Sequence, residues 1–109
     1  MSIFDVFRKK RAELDSRLFG KWRLQRSEQD LPAAEDTIAE FSPEGALTYS
    51  ITQGGKTGIM KMTYRIEGGF ILSDQPSRPR EERTEYRIDS DGSLILIYGG
   101  QPSRFLRVS

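Results

Sequence analysis

The chain contains no cysteine and no histidine. The first absence removes disulfides, thiol nucleophiles and cysteine-ligated zinc. The second removes imidazole ligation and every catalytic triad built on histidine. Acid–base chemistry would fall to Tyr, Lys, Asp or Glu alone, so no enzyme is expected. A chain without disulfides draws no benefit from an oxidising compartment, and a cytoplasmic location is the expectation. No apolar run approaches the ~20 residues of a transmembrane helix, so no membrane span is expected. The opening MSIFDVFRKKR sets its charges after a very short apolar patch, the wrong order and length for a secretory signal. Charge of one sign is missing too: 17 basic and 16 acidic side chains nearly cancel. That balance offers no strong field for nucleic acid or an acidic membrane.

The cancellation is uneven along the chain. Residues 1–21 carry six basic and three acidic side chains, whereas 22–109 carry 11 and 13. The excess is Arg8-Lys9-Lys10-Arg11, inside a stretch with helical spacing. Ser2 and Asp5 resemble a capping box, and Ile3, Phe7, Leu14 and Leu18 fall near one face. The spacing predicts an amphipathic helix over 1–18 that plugs or flanks the remainder of the domain, residues 19–109. The alternative use of such a face, with Phe4 and Phe7 beside four cations, is to dock on a partner or a membrane surface.

After Gly20 the period changes from 3.6 to 2. Trp22 and Leu24 alternate with charged neighbours, and a polar loop from Ser27 to Asp36 leads to a second strand ending at Phe41. Ser42-Pro43-Glu44-Gly45 is a turn. Leu47, Tyr49 and Ile51 alternate in a third strand; Met60, Met62, Tyr64 and Ile66 do so in a fourth. The fifth runs from Phe70 to Ser73. Asp74-Gln75-Pro76-Ser77-Arg78-Pro79 is expected to be a loop, because its prolines lack donors. Thr84, Tyr86 and Ile88 form the inward face of a sixth strand. Leu94 to Tyr98 and Ser103 to Val108 complete the set. Successive hairpins of this kind predict an all-β fold, an eight-stranded antiparallel up-and-down barrel with one N-terminal α-helix. Closure would also remove exposed strand edges.

Gly20-Lys21-Trp22 opening the first strand, Phe41-Ser42-Pro43-Glu44-Gly45 after the second, and Arg107 in the last resemble the small lipocalin-like domains of bacteria, within the calycin superfamily. The resemblance spans about residues 18–108. It implies that Trp22 packs across the closed end of the barrel and that Arg107 covers it, with Gly20 beside them, as structural closure residues. The chain departs from true lipocalins in being short, in lacking disulfides and in having no helix after the barrel.

The inward tyrosines and methionines are the candidate binding residues: Tyr49, Met60, Met62, Tyr64 and Tyr86, with Tyr98 as a further member. Together they would line a pocket for a flat or flexible apolar ligand. A small eight-stranded barrel can equally fill its interior with these same side chains. Glu81-Glu82 and Asp89-Ser90-Asp91-Gly92 read as a solvated face and a turn rather than as catalytic acids or a cation loop, since no Glu follows the turn at EF-hand spacing. Arg78, Arg80, Arg83 and Arg87 are interleaved with glutamates and give no basic stripe for nucleic acid. No cofactor or metal is expected. Two function classes remain: a non-enzymatic barrel holding a small apolar ligand, and a protein-interaction module of inhibitor or immunity type acting through its surface or its N-terminal helix. An open interior cavity of about 300 Å³ or more would favour the first.

Overall fold

A computed structural model of the chain describes residues 13–25, 36–75 and 78–109. Eight strands account for most of them: β1 (Gly20–Leu24), β2 (Asp36–Phe41), β3 (Ala46–Gln53), β4 (Lys56–Glu67), β5 (Phe70–Gln75), β6 (Arg78–Ile88), β7 (Leu94–Tyr98) and β8 (Gln101–Arg107). Each strand pairs antiparallel with its neighbour in sequence, and β8 pairs back onto β1 to close the barrel. The period-2 pattern sets the register. Trp22 lies opposite Ala39, Ala39 opposite Tyr49, and Tyr49 opposite Met60, so the apolar set of each strand turns to one side of the pleat, the interior. Gly54 and Gly55 both adopt positive φ, 59° and 79°, which is what the two central residues of a tight hairpin turn between β3 and β4 require.

Three expectations from sequence need correction. The first concerns the helix over 1–18. Residues 1–12 lie outside the described residues, and residues 13–18 are not α-helical. Residues 13–15 have no regular structure, and Ser16–Leu18 make a single 3-10 turn. Asp15 is extended (φ −112°, ψ 109°) and caps that turn by accepting from the Arg17 backbone N–H, so a new element begins where a continuing helix was expected. The Glu13 carbonyl accepts a hydrogen bond from the Ile66 amide of β4 at 2.7 Å. The segment is thereby tied to the end of the barrel. Leu18 enters the interior cluster and Leu14 packs against it, so these two side chains plug the end of the barrel.

The second correction concerns residues 74–79. β5 continues to Gln75, and β6 begins at Arg78 opposite it. Residues 76–77 lie outside the described residues; a register shift falls between Ser73 and Gln75, and the Asp74 carboxylate accepts from the Arg80 backbone N–H at 2.7 Å. β6 pairs with β7 only from Glu85 onward, so Pro79 lies where no second ladder needs its nitrogen. The third correction is one of length. β4 starts at Lys56, well before the clean alternation at Met60, and its first six residues are exposed. The hydroxyls of Thr52 and Thr57 are hydrogen-bonded at 2.9 Å, holding this outer part of the hairpin together.

The interior is packed at one end. Leu18, Trp22, Ala39, Phe41, Tyr64, Tyr86 and Leu94 are all buried there, and Phe41 meets Tyr64 edge to face at a centroid distance of 5.2 Å. Some burial lies on the outside. Ile95 and Leu72 face outward by register, yet they are only 3% and 6% exposed.

Candidate functional site

The two ends of the barrel are chemically different. At the end where β1 begins, Trp22 is 1% exposed and donates its indole N–H to the Leu18 carbonyl at 2.8 Å. The Arg107 guanidinium sits over the indole ring, 4.3 Å from a ring centroid, and donates to the carbonyls of Phe19 (2.7 Å) and Arg17 (2.6 Å). This cation–π contact adds about 0.5–2 kcal/mol to the burial of the ring. Gly20, at φ 123°, passes beneath them. A Cβ there would stand 2.5 Å from the Ser109 carbonyl oxygen and 2.8 Å from Arg107 Nη1, so only glycine fits. Gly20, Trp22 and Arg107 therefore meet at the closed end.

Tyr64 and Tyr86 also lie in this packed half. The Tyr64 hydroxyl donates to the Ser42 carbonyl at 2.8 Å, and the Tyr86 hydroxyl donates to the Asp15 carboxylate at 2.8 Å. Burial pushes both phenols up to about 12, and the Asp15 hydrogen bond adds to the rise for Tyr86. The Arg17 guanidinium holds Asp15 down at about 2, with Tyr86 assisting. These two tyrosines tie the closed end together, and they do not line the cavity above it.

That cavity occupies the other half of the barrel, with a volume of about 500 Å³. The last residue of β1, the first of β2, and the β3–β4 and β7–β8 turns all fall at this end. Three of the expected residues line it: Tyr49, Met60 and Met62. Leu24, Leu47, Ile71, Leu96 and Phe105 form its apolar floor and walls, and Tyr98 joins them. β3 and β7 stand four strands apart in a ring of eight, so Tyr49 and Tyr98 project from opposite walls. Their hydroxyls meet at 3.0 Å, a hydrogen-bonded crossbar through the lumen. Burial is the main reason both phenols titrate above their ordinary range, and the nearby Glu82 carboxylate pushes in the same direction. Both are neutral at any physiological pH.

Sequence reasoning placed Thr84 on the inward face but missed the rest of the polar wall contributed by β5 and β6, namely Ser73, Gln75, Arg80 and Glu82. The signal was strand parity. Thr84 and Tyr86 point inward, so Glu82 points inward as well, although a charged stretch reads as a solvated face. Its neighbour Glu81 does face out and pairs with Arg65 at 2.8 Å. Arg87 pairs with Asp89 at 2.9 Å, and Arg83 stacks over Phe70 at 4.1 Å, so part of the arginine run is engaged on the outer face. Asp91 and Asp89 bind Arg104, and Asp91 also accepts from Ser93, which makes this turn a structural network. Among the described residues no group of three or more acidic side chains is placed to hold a metal ion, and no helix is long and apolar enough to cross a membrane.

The fold and the site define a closed, eight-stranded, up-and-down antiparallel barrel with one plugged end and one hollow end. Compared with protein-family models, with curated proteins and with solved structures, the chain matches none.

Proposed function

We propose that this barrel is a non-enzymatic binding protein that takes a small, largely apolar ligand into its interior, and that it is a bacterial, cytoplasmic member of the lipocalin-like calycins. The observation that carries the reading is the cavity of about 500 Å³ above the Trp22 plug. A barrel that served only as a scaffold would fill this space with its own side chains. The volume falls within the range of small-molecule sites, and its walls combine apolar area with a few polar groups that can orient a guest. The supports for calycin membership are the Gly20–Trp22–Arg107 closure and the strand order. The protein-docking reading draws on exposed Ile59, Leu106 and Val108. They lie on β4 and at the end of β8, on opposite sides of the ring, and form no shared patch.

The test is a fluorescence titration with Nile red, an uncharged dye that brightens in apolar surroundings. Wild type should bind it saturably at one site per chain. Met62→Trp, which puts a larger ring into the cavity wall, should abolish binding while the far-UV spectrum stays that of the wild type. Absence of saturable binding to wild type would overturn the ligand reading and leave the surface-interaction reading in its place.

A further inference from the structure

The proposed ligand site has polar groups that an apolar guest alone leaves idle. Ser73 and Thr84 are 9% and 8% exposed, and both line the cavity. Ser73 stands opposite Glu82 and Thr84 opposite Ile71, so the two hydroxyls are diagonal neighbours on adjacent strands of one wall. Among the described residues neither hydroxyl makes a hydrogen bond to protein. Buried hydroxyls are normally paired, because leaving one unpaired forfeits the hydrogen bonds it made with water. The Tyr49–Tyr98 crossbar is also incomplete. Each phenol has one proton and can accept as well, so a single bond between them leaves one O–H still to be donated, and lone pairs still open.

Charge limits the guest further. Among the described residues of the cavity lining, Arg80 and Glu82 are the basic and the acidic side chain, two residues apart on β6. Both are exposed at the mouth. Below them the described lining is uncharged in residue type. An anion drawn to the crossbar would meet phenols that stay protonated but also the Glu82 carboxylate, whose field already acts on both rings. An ion pushed to the floor among Leu47, Ile71, Leu96 and Phe105 would lose its hydration with no counter-charge.

Resting on the ligand-binding reading above, we propose that the cavity selects an uncharged ligand bearing two separated hydrogen-bonding functions, one for the Tyr49–Tyr98 crossbar and one for the Ser73–Thr84 hydroxyl pair. Plain hydrocarbons and carboxylate-headed chains are discriminated against. The hydrocarbon is rejected because it strips water from four polar side chains and replaces it with nothing, the situation in which a hydrogen-bonding site rejects an analogue lacking the group. The carboxylate is rejected by Glu82 and by desolvation.

Three probes separate these classes in equilibrium titrations: Nile red, uncharged with a carbonyl and ring heteroatoms; pyrene, without polar atoms; and cis-parinaric acid, a carboxylate. Nile red should bind most tightly at neutral pH. The double variant Ser73→Ala/Thr84→Val and the single variant Tyr49→Phe should each weaken Nile red roughly tenfold and leave pyrene unchanged or tighter. Thr84→Ser keeps a hydroxyl and should retain Nile red affinity, which guards against a loss caused by misfolding. Tighter binding of cis-parinaric acid, or equal shifts of Nile red and pyrene in the variants, would overturn the selectivity while leaving a ligand-binding barrel. Failure of all three probes to bind the wild type would overturn the ligand reading itself.

Discussion

The two halves of this barrel are built from the same eight strands and differ in what fills the space between them. In the closed half, Leu18, Trp22, Phe41, Tyr64, Tyr86 and Leu94 interlock, and the polar tips of Trp22, Tyr64 and Tyr86 are bonded to the Leu18 carbonyl, the Ser42 carbonyl and the Asp15 carboxylate, while Arg107 above them holds the Phe19 and Arg17 carbonyls. In the open half the walls stand apart, and among the described residues one hydrogen bond between two phenols joins them across the lumen. The lesson is a division of labour along the barrel axis. Stability concentrates where a segment from outside the barrel, residues 13–19, is drawn across the end and pinned to β4, β6, β1 and β8. That anchorage lets the other end stay hollow, because a barrel plugged at one end need not be packed throughout.

The sharpest way to break the comparison is Trp22→Ala. Removing a fully buried indole, its hydrogen bond to Leu18 and its contact with Arg107 should cost about 3–5 kcal/mol. Urea denaturation would measure that loss against Tyr98→Phe at the other end. If the two cost the same, the halves are not mechanically distinct. Gly20→Ala comes next at about 2–3 kcal/mol, since φ 123° strains any side chain and the new Cβ meets the Ser109 carbonyl and Arg107. A melting temperature within a degree of wild type would contradict the close approach at Gly20.

Asp15 sharpens the same contrast through pH. Its carboxylate is only 14% exposed and is held at about 2 by Arg17 and Tyr86, against 3.8 for the free side chain. A depressed folded pKa contributes stability that is fully present above the unfolded value and lost as pH falls from about 4 through about 2. Because Arg17 is largely exposed, solvent screening reduces the contribution to about 1 kcal/mol or less. Asp15→Asn should remove that part of the acid dependence, so its denaturation midpoint should change less than that of wild type between pH 5 and pH 2. A wild-type profile flat over that range would show that the Asp15 bridge does not hold the plug.

How far the residues themselves disclosed this arrangement also divides by half. Trp22, Gly20 and Arg107 were legible through the resemblance of Gly20-Lys21-Trp22 and Arg107 to a lipocalin-like closure, with Arg107 picked out by its shared parity with Phe105; the positive φ of Gly20 is seen only in the structure. Tyr49, Met60 and Met62 were legible because β3 and β4 alternate cleanly. Tyr64 and Tyr86 share that parity, but their height along the barrel puts them under the cavity, and height depends on the stagger between strands, which alternation cannot report. Glu82 and Arg80 were hidden by their charge, since parity and polarity disagree there and a charged side chain is ordinarily a solvated one. The N-terminal stretch misled for another reason. Leu14 and Leu18 keep helical spacing, but the 13–15 segment commits its polar groups to Ile66 and Tyr86, and long-range pairing overrides local propensity.

The smallest expected effect is the most specific to the hollow half. Tyr98 is 43% exposed and precedes Gly99 and Gly100, both at positive φ, so its position is set by the β7–β8 turn as well as by Tyr49. Replacing it with Phe deletes one oxygen and the crossbar while keeping the ring. A neutral hydrogen bond at the edge of a cavity contributes about 0.5–1.5 kcal/mol at most, and water can take the vacated place, so the net cost should stay below about 0.5 kcal/mol. The change should show instead in the tyrosine that remains. Without Tyr98 beside it, and with water admitted to its hydroxyl, Tyr49 should titrate closer to the ordinary phenol value, seen as an earlier rise in tyrosinate absorbance in the variant than in wild type. A stability loss of several kcal/mol would mean that the crossbar holds the barrel walls in place, and the hollow half would then be a strut-braced structure, with Tyr49 and Tyr98 counted among the residues that maintain the fold.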